Sequence, residues 1–461
     1  MIIDRRALRT IIRDKFRLVF DDIDETYLSD ALMRLRGNAD VVAFPLSTRE
    51  VSELMRYAFT HQIPVTPRGA GTNLTGSTVP LQGGIVLDLS RMNRIVELDT
   101  ATFTATVEPG VLLEDFQAYV EAHGLFYPPD PGEKASTIGG NISTNAGGMR
   151  AVKYGVTRNY VRGLEVVLAN GDIVALGSKN VKDASGLALK ELMVGSEGTL
   201  GVITRCILRL IPKPEASESV LVPCADLQAS ARIVQAILEA DTNPTALEIM
   251  QRKVVALGEA FLGVQYPHAD AGAYLLLTFD GHAQEVVDSV DRAKEASLLG
   301  GALDFIPLTD PTISADVWRL RGALVKAVEA LSEQEPIDIV VPINRSAAFL
   351  QFADGIARSM GIDIVSFGHA GDGNIHLCVM RGEREDAQWA QALHECMDRL
   401  YAHAYALGGL ASGEHGIGIS KRPYYQQQTD ETNLHMMNAI KNALDPAHIL
   451  NDQKSYIREA T

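Results

Sequence analysis

The sequence predicts an α+β protein that is divided into more than one domain. Its 461 residues, 46% of them hydrophobic and 22% charged, have room for two to four packed domains at about 100–200 residues each. Strand and helix patterns alternate along the chain, which is typical of sheets covered by helices. A long strand pattern ends at Pro212-Lys213-Pro214, and we interpret this stretch as a domain boundary.

Before that boundary, short strand patterns alternate with helix signals. Ser47 and Glu50 have the spacing of a capping box, in which each side chain accepts from the other residue's backbone N–H, and an apolar stripe then predicts a helix to about His61. Asn170-Gly171 between two strand patterns predicts a tight hairpin. The predicted strands cover residues 41–44, 63–66, 84–89, 95–107, 165–169, 172–176 and 200–211.

After the boundary the order becomes strand–helix–strand, which predicts an α+β domain with helices on one face of its sheet. Residues 300–336 have an irregular pattern. The predicted strands cover residues 219–222, 246–250, 274–279, 337–341 and 362–367. The predicted helices cover residues 226–240, a stretch from about 251, 283–299, 344–360, 385–407 and 432–444.

Charge and cysteine content exclude several classes of function. Lys plus Arg is 42 and Asp plus Glu is 58, and the net charge of −16 argues against nucleic acid or an anionic membrane surface as the main partner. The sequence has no run of 18 apolar residues for a transmembrane helix, and its beginning lacks a signal peptide's apolar region. The four cysteines form no CxxC pair, so we expect neither a disulfide framework nor an iron–sulfur cluster within the chain. We therefore expect a cytoplasmic protein.

The glycines are concentrated in five loops, which predicts that these loops build binding sites. Residues 69–76, 132–148, 195–201, 368–373 and 408–418 hold 19 of the 39 glycines. Glycine adopts positive φ and lets the backbone approach a ligand closely. The first loop, which follows a strand, can aim backbone N–H groups at a phosphate, and an ordinary tight turn fits it as well. The second suits a backbone pressed against a large polar planar ligand rather than a flexible linker, and the third fits a site or a plain turn.

Four stretches together resemble a known family: PRGAGTNLTGS, PPDPGEKASTIGGNISTNAGG, KYGVTRNYV and VGSEGTLGVIT. In order and spacing they are similar to the FAD-binding domain of the vanillyl-alcohol oxidase type, in the branch of FAD-linked D-2-hydroxyacid dehydrogenases. The resemblance extends over about residues 40–453. It implies an FAD-binding domain of two α+β subdomains (1–214), a ferredoxin-like α+β substrate domain (215–410) and a C-terminal helical segment that returns to the FAD domain (411–461).

The resemblance also implies a cofactor site. The first loop is expected to hold the FAD pyrophosphate, and the second and third loops to line the flavin and adenosine. Relatives that attach FAD covalently often carry a histidine where this chain has Thr72-Asn73, so we expect non-covalent FAD. The cofactor-binding residues implied in this way are Pro67, Arg68, Gly69, Ala70, Gly71, Thr72, Asn73, Gly76, Ser77, Pro129, Asp130, Ser136, Thr137, Ile138, Gly139, Gly140, Asn141, Thr144, Asn145, Gly148, Tyr154, Glu197, Gly198, Ile203 and Asn451.

The fourth and fifth glycine loops carry the residues of a metal site. The turn-forming residues 370–374 predict that two strands fold back and bring His369 near His376. A histidine pair on two strands is more often structural, but Glu414-His415 in another glycine loop favours a metal, because two imidazoles and a carboxylate are the protein ligands of a catalytic zinc site. The motifs GHAGDGNIH and GEHGIG resemble the family's metal motifs, which implies His369, His376 and Glu414 as ligands of one divalent metal, Zn²⁺ first and Mn²⁺ or Fe²⁺ as alternatives.

The resemblance assigns three residues to catalysis on a 2-hydroxy acid. His415 would take the hydroxyl proton while the C2 hydride passes to flavin N5, and an imidazole with its usual pKa near 6.5 suits that role. Arg321 in Trp318-Arg319-Leu320-Arg321 would bind the substrate carboxylate, with a solvated helix charge as the alternative. Asn374 would touch substrate or flavin.

Two departures from the family bear on the substrate. Members that act on D-2-hydroxyglutarate place a threonine and a lysine where this chain has Val325 and Pro336, so a D-lactate-like monocarboxylate or a longer apolar 2-hydroxy acid is favoured. The alternatives are a D-2-hydroxyglutarate dehydrogenase, a glycolate oxidase flavin subunit, an ether-lipid synthase-like flavoenzyme without net oxidation, and a flavin subunit that only relays electrons.

The expected partners are a small 2-hydroxy acid and an external electron acceptor. An iron–sulfur protein, an electron-transferring flavoprotein, a quinone, a cytochrome and O₂ all fit the acceptor's role. A homodimer, and a peripheral membrane association through a partner, are compatible with the sequence.

Overall fold

The computed structural model describes residues 3–456, and the chain folds into two units. Unit 1 contains the described residues up to Gly147, then Val156–Lys213, and the described residues from Glu414 onward. Unit 2 contains Gly148–Gly155 and Pro214–Gly413. The outermost ends of the predicted domains, residues 1, 2 and 457–461, lie outside the described residues. The chain returns to unit 1 at Glu414, and the sequence patterns carried no signal for the inclusion of residues 148–155 in unit 2.

Short strands and short helices make up the chain before Pro214. Its helices are α1 (Arg5–Ile11), α2 (Thr48–His61), α3 (Leu113–Glu121), α4 (Ile138–Thr144), α5 (Ala151–Tyr154) and α6 (Leu189–Met193). Its strands are β1 (Leu18–Val19), β2 (Val41–Ala43), β3 (Val65–Arg68), β4 (Ile85–Asp88), β5 (Ile95–Asp99), β6 (Thr104–Val107), β7 (Leu125–Phe126), β8 (Val161–Val167), β9 (Ile173–Gly177), β10 (Val202–Arg209) and β11 (Ile211–Pro212).

Longer strands and helices alternate after Pro214. The strands are β12 (Ala216–Cys224), β13 (Ala246–Gln251), β14 (Ala273–Gly281), β15 (Ile306–Pro307), β16 (Gln334–Val340), β17 (Asp363–His369) and β18 (Asn374–Met380). The helices are α7 (Leu227–Glu239), α8 (Arg252–Leu262), α9 (Ala283–Leu299), α10 (Pro311–Glu329), α11 (Ser346–Met360), α12 (Asp386–Ala406), α13 (Arg422–Gln428) and α14 (Glu431–Leu444).

Unit 1 is built on two principal sheets, as two α+β subdomains require. In the first sheet, with the order β1-β2-β4-β3, the strands β2, β4 and β3 are parallel. In the second, with the order β5-β6-β10-β8-β9, all pairs are antiparallel. A cluster of buried apolar side chains from α1, α2 and the first sheet continues to Ile449 and Leu450 near the end of the chain. This packing anchors the C-terminal segment in unit 1.

Helix α2 begins at the predicted N-cap, but half of the predicted capping box is wrong. Ser47 Oγ accepts from Glu50 N at 3.3 Å. The Glu50 carboxylate does not accept from Ser47 N, because Leu46 N and the Arg17 guanidinium donate to it instead, at 2.7 to 2.9 Å. The helix ends at His61, as predicted.

The strand prediction over residues 95–107 also needs correction. This stretch is a hairpin of β5 and β6 rather than one strand. Its turn has no glycine, proline or asparagine, so the usual sequence signal is missing. Asp99 Oδ1 supplies the turn chemistry by accepting from Ala101 N and Thr102 N, and Phe103 takes a positive φ of 52°.

Unit 2 contains one antiparallel sheet with the order β15-β12-β14-β13-β17-β18-β16. Successive residues of a strand face opposite sides of a sheet. In β14, Leu275, Leu276 and Leu277 are all fully buried, so both faces of the sheet are covered. Helices α8 and α10 pack with the Leu276 face, and α7 and α9 also pack on β12 and β14. The expectation of helices on one face alone was therefore wrong.

Helix α10 fills the tract whose sequence pattern looked irregular. Asp310 caps it by accepting from Thr312 N and Ile313 N, and Pro311 occupies its first turn. The side chains it buries against unit 2's core are Val317, Leu320, Leu324 and Val328, at helical spacing. This helix carries Arg321.

Among residues 3–456, the structure contains no helix that is both long enough and apolar enough to span a membrane.

Candidate active site

Two histidines meet at the end of the β17–β18 hairpin in unit 2. The strands pair so that Phe367 lies opposite His376 and His369 opposite Asn374. The Nε2 atoms of His369 and His376 are 3.3 Å apart. The turn needs glycine, because Gly373 has a φ of 81° and a Cβ there would stand 2.1 Å from the Val341 carbonyl oxygen. The predicted approach of the two histidines is confirmed, and both belong to a group of side chains that could hold a metal ion.

A buried glutamate on β13 joins His369 to Arg321. Glu248 Oε1 accepts from His369 Nδ1 at 2.5 Å. Its Oε2 accepts from Arg321 Nε at 2.9 Å and from Nη2 at 2.5 Å. Burial alone would raise the pKa of the Glu248 carboxyl, but the adjacent His369 and Arg321 outweigh burial and lower that pKa to about 2. Glu248 was not predicted as a site residue, although one acid inside the apolar strand sequence ALEIM is a signal for a paired buried charge.

A second buried acid, Asp338 on β16, accepts hydrogen bonds from the fifth glycine loop. Its carboxylate accepts from Asn374 Nδ2 and Ser412 Oγ, each at 2.7 Å, and from Gly413 N at 3.1 Å. Asp338 lies opposite His376 in the sheet. Asn374 is buried, its amide nitrogen is held by Asp338 and Ile339 O, and its Oδ1 has no hydrogen-bond partner among residues 3–456. Asp338 was also missed, in the apolar strand sequence IDIVV.

Glu414 and His415 begin the last segment of unit 1. Glu414 follows Gly413 directly, so the Asp338 contact fixes the peptide that precedes it. A Cβ on Gly147 would stand 3.1 Å from Glu414 Cγ, so glycine there leaves room for this side chain. His415 O accepts from Asn73 Nδ2 at 3.2 Å and from Thr75 Oγ1 at 3.3 Å. The structure thus brings the first and fifth glycine loops together within unit 1.

Glu197 of the third glycine loop joins these same loops. Its carboxylate accepts from Ile417 N at 2.9 Å and Gly418 N at 2.8 Å, and also from Ser77 Oγ. The C-terminal segment adds Asn451, whose Nδ2 donates to Ser77 O at 3.0 Å and to Glu197 O at 2.7 Å. Lys454, which was not among the predicted site residues, donates to Ser77 O at 2.8 Å. Burial lowers the pKa of Lys454 to about 7.

Comparison with known proteins identifies the family. Residues 39–177 match the family described as FAD binding domain, and residues 213–455 match FAD linked oxidases, C-terminal domain. A D-lactate dehydrogenase of Anaerostipes hadrus is 41% identical over 452 residues, which cover 96% of this chain and 95% of that protein. The chain belongs to the FAD-linked oxidases. It is an FAD-linked oxidoreductase of the type that includes 2-hydroxyacid dehydrogenases, which confirms the resemblance seen in the sequence.

A further relative supports this assignment, and a solved structure shows the fold. The glycolate oxidase subunit GlcD of Bacillus subtilis is 38% identical over 450 residues, covering 96% of this oxidase and 94% of that protein. A solved alkyldihydroxyacetonephosphate synthase superposes with a TM-score of 0.77 at 17% identity, covering 98% of the oxidase and 86% of that chain. An identity this low shows the fold alone. The fold is the vanillyl-alcohol oxidase type predicted from the sequence.

The second glycine loop of this oxidase lies against the first within unit 1. A Cβ on Gly69 would stand 2.2 Å from Thr137 Oγ1, so only glycine permits that approach. Thr137 also caps α4 by accepting from Gly140 N at 3.2 Å. Asn141 is buried, and its Nδ2 donor has no hydrogen-bond partner in the described part of the chain. A buried donor without a partner fits a ligand that supplies an acceptor, as the polar groups of FAD do.

Arg68 and Tyr154 are among the predicted FAD residues whose side chains are engaged within the protein. Arg68 is buried, its guanidinium donates to Thr26 O and Ser29 O, and burial lowers its pKa. Tyr154 belongs to unit 2, where its hydroxyl donates to Asp280 Oδ1 at 2.8 Å. Gly148 also lies in unit 2. The other predicted cofactor residues lie in unit 1: Pro67, Ala70, Gly71, Thr72, Gly76, Pro129, Asp130, Ser136, Ile138, Gly139, Thr144, Asn145, Gly198 and Ile203.

Proposed function

We propose that this oxidase converts a short D-2-hydroxy acid, with D-lactate as the favoured substrate, into the 2-oxo acid. The observation that carries the proposal is the His369–His376 pair, whose Nε2 atoms are 3.3 Å apart at the end of one hairpin. The name of the 41% identical relative, a D-lactate dehydrogenase, supports the choice of substrate. The alternatives are D-2-hydroxyglutarate, and the role of a glycolate oxidase flavin subunit.

We propose that His369, His376 and Glu414 hold one divalent metal. Two nitrogens bound tetrahedrally at about 2.0–2.1 Å stand about 3.3–3.4 Å apart, so the histidine pair fits one ion. Glu414 is the candidate third ligand because the chain reaches it directly from Gly413, whose N–H is held by Asp338. Two imidazoles and one carboxylate favour Zn²⁺, with Mn²⁺ and Fe²⁺ as alternatives. When bound, the ion supplies a Lewis acid for the substrate's hydroxyl and carboxylate oxygens.

The three glycine loops of unit 1 are the proposed FAD site. Gly71, Gly76 and Gly198 have φ values of 71° to 80°, which glycine adopts without strain. The unpartnered Asn141 Nδ2 is a donor for the cofactor. When bound, FAD supplies a two-electron acceptor for the C2 hydride. Thr72 and Asn73 offer no histidine for attachment, so we propose that FAD is held non-covalently.

His415 is the proposed base, and Arg321 the proposed carboxylate-binding residue. Asn73 and Thr75 hold the His415 backbone from the first glycine loop, so the imidazole starts from a fixed position beside the proposed FAD site. Arg321 presents its guanidinium from α10 with an exposed fraction of 13%. A buried, oriented guanidinium binds a carboxylate more specifically than a mobile surface charge. Asn374, with its unpartnered Oδ1, is the proposed acceptor for a substrate or flavin donor.

Val325 and Pro336, which stand where D-2-hydroxyglutarate-oxidising members carry a threonine and a lysine, favour a substrate with one carboxylate. Val325 lies four residues after Arg321 on α10, where side chains share a face. Pro336 lies on β16. Neither side chain can bind a second carboxylate by charge or hydrogen bond, which disfavours 2-hydroxyglutarate.

The electrons must leave the reduced enzyme through an acceptor outside the chain. The four cysteines are buried and belong to no group of potential metal ligands within residues 3–456. We propose an iron–sulfur protein or an electron-transferring flavoprotein as the physiological partner.

A panel of 2-hydroxy acids with a dye acceptor, run on FAD- and metal-analysed protein, tests the proposal. We expect turnover with D-lactate, little with L-lactate or D-2-hydroxyglutarate, and loss of turnover after chelation that Zn²⁺ or Mn²⁺ restores. Anaerobic D-lactate should bleach the flavin, which an ether-lipid synthase would not do. Absence of bleaching with every D-2-hydroxy acid would exclude the proposed reaction, and full activity after chelation would exclude the metal.

A further inference from the structure

We propose that Glu248 is a positioning residue that aligns His369 for the metal and Arg321 for the substrate. This inference rests on the proposed function, because Glu248 acts on two residues that the proposed function assigns to the metal and the substrate. Glu248 lies on β13, opposite His369 across the strand pair, and is fully buried. Both of its oxygens are engaged by His369 and Arg321, so its effect is transmitted through these two partners.

The two carboxylate oxygens of Glu248 bind different residues. Oε1 accepts from His369 Nδ1 at 2.5 Å, and Oε2 accepts from Arg321 Nε and Nη2 at 2.9 and 2.5 Å. One side chain of fixed geometry therefore sets the direction of both groups. The ligand position lies on β17 and the carboxylate-binding position on α10, far apart in the sequence, and Glu248 hydrogen-bonds to both.

The contact with His369 fixes which nitrogen carries the proton. A carboxylate only accepts hydrogen bonds, so Nδ1 of His369 must donate to it. In a neutral imidazole the lone pair then belongs to Nε2, the atom that faces His376 Nε2 at 3.3 Å. Carboxylate–histidine pairs of this kind orient metal ligands and raise their basicity.

The contact with Arg321 holds the guanidinium from one side, and an aromatic ring holds it from another. The Arg321 Cζ lies 5.2 Å from the centre of the Phe367 ring, which belongs to β17. Phe367 also lies opposite His376 in the hairpin. The guanidinium is thus packed against the same hairpin that carries the histidines, and Glu248 is its charged partner there.

Glutamine cannot replace Glu248 in both roles. Its amide has one acceptor and one donor side. If the oxygen faces Arg321, the NH₂ faces His369 and demands an acceptor at Nδ1, which moves the imidazole proton to Nε2. If the oxygen faces His369, the NH₂ meets the guanidinium donors. In either orientation the glutamine loses the contact that positions His369 or the contact that positions Arg321. If Glu248 only formed a structural ion pair, its replacement by glutamine would lower stability without changing metal affinity or KM.

The test compares Glu248→Gln with two matched variants in the FAD-loaded, full-length protein. In Glu259→Gln, a half-buried ion pair with Arg252 in the same unit is weakened without touching His369 or Arg321. In Arg321→Gln, only the carboxylate-binding partner is removed. Metal-free protein is titrated with Zn²⁺ and with Mn²⁺, and KM and kcat for D-lactate are measured on metal-saturated protein.

We expect Glu248→Gln to weaken metal binding by about 10- to 100-fold and to raise KM as well. Arg321→Gln should raise KM and leave metal affinity within about threefold, and Glu259→Gln should change neither. Wild-type metal affinity and KM in Glu248→Gln would overturn the proposal, and so would a change no larger than that of Glu259→Gln. Should Glu248→Gln not fold, Glu248→Asp is measured instead, because its shorter reach must lose one partner and impair at least one of the two quantities. Failure of the proposed function is recognised separately, since the wild-type protein would then bind no metal or oxidise no D-2-hydroxy acid.

Discussion

Buried carboxylates hold residues of the candidate site in place through hydrogen bonds. Glu248, Asp338 and Glu197 are each less than a tenth exposed, and each accepts hydrogen bonds from loops or side chains assigned to the site. Burying a carboxylate is costly unless it is paired, so such residues persist where their partners need a fixed position. In the strand sequences ALEIM and IDIVV, a lone acid among apolar residues is the signal of such a position.

At His415, replacement of the side chain should separate catalysis from binding. We expect His415→Ala to retain FAD and metal, because its loop is held through the backbone carbonyl by Asn73 and Thr75. Turnover of D-lactate should fall by about 10²–10⁴-fold, as for loss of a general base. The measurement is kcat together with FAD absorbance and metal content. His435→Ala, on the exposed face of α14, should leave all three unchanged; near-normal kcat in His415→Ala would assign the base to another residue.

At the scale of elements, the accuracy of prediction followed the strength of local signals. The stretch over α2 was predicted well because Ser47 caps it and its apolar residues recur at helical spacing. The β5–β6 hairpin was missed because Asp99 makes the turn without glycine. Helix α10 was missed, although Asp310 and Pro311 are signals of a helix start. Its apolar pattern looked irregular in the sequence, and the helix is stabilised by packing against distant elements of unit 2.

The β17–β18 hairpin should depend on one glycine. In Gly373→Ala the new Cβ would stand 2.1 Å from Val341 O at a φ of 81°, so the turn must move and the histidines with it. We expect weaker Zn²⁺ binding and a lower melting temperature, measured by metal titration and calorimetry. The matched control is Gly355→Ala in α11, where a Cβ meets nothing within 4 Å. This control should stabilise the protein by about 0.5–1 kcal/mol and leave Zn²⁺ affinity unchanged. Unaltered metal affinity in Gly373→Ala would show that the turn does not position the histidines.

At the scale of the whole molecule, motifs predicted the family and most candidate residues. They did not predict the buried residues that hold these candidates in place. The glycine loops and the histidine hairpin carry their signals within a few residues. Glu248 lies 121 residues from His369, and Lys454 lies 377 residues from Ser77. Such pairs form because separate strands and loops pack together, and local patterns in a single sequence do not reveal which distant elements will meet.

Buried titratable groups of the whole chain set the pH dependence of stability. Burial lowers the pKa of Lys454 to about 7, against about 10.4 in an unfolded chain. Between these values the unfolded state binds more protons, so the free energy of unfolding rises with pH, by up to about 1.4 kcal/mol per pH unit. Burial raises the pKa of Cys396 to about 11 and those of Cys224 and Cys378 to about 12. Above about pH 8.5 unfolded thiols lose protons that the folded protein keeps, so stability falls again.

We therefore expect urea midpoints to rise from pH 7 to about 8.5 and to decline towards pH 10. Lys454→Met should flatten the rise and keep the decline, because it removes the amine and leaves the thiols in place. Lys253 is exposed, and Lys253→Met breaks only a surface ion pair with Asp363. This variant should show both the rise and the decline of the urea midpoint. A wild-type midpoint that stays flat between pH 7 and 8.5, or a rise that survives in Lys454→Met, would mean that Lys454 stays protonated in the folded protein. The amine would then hold Ser77 and Asn451 as a charged group across this pH range, and its burial would be offset by Glu197.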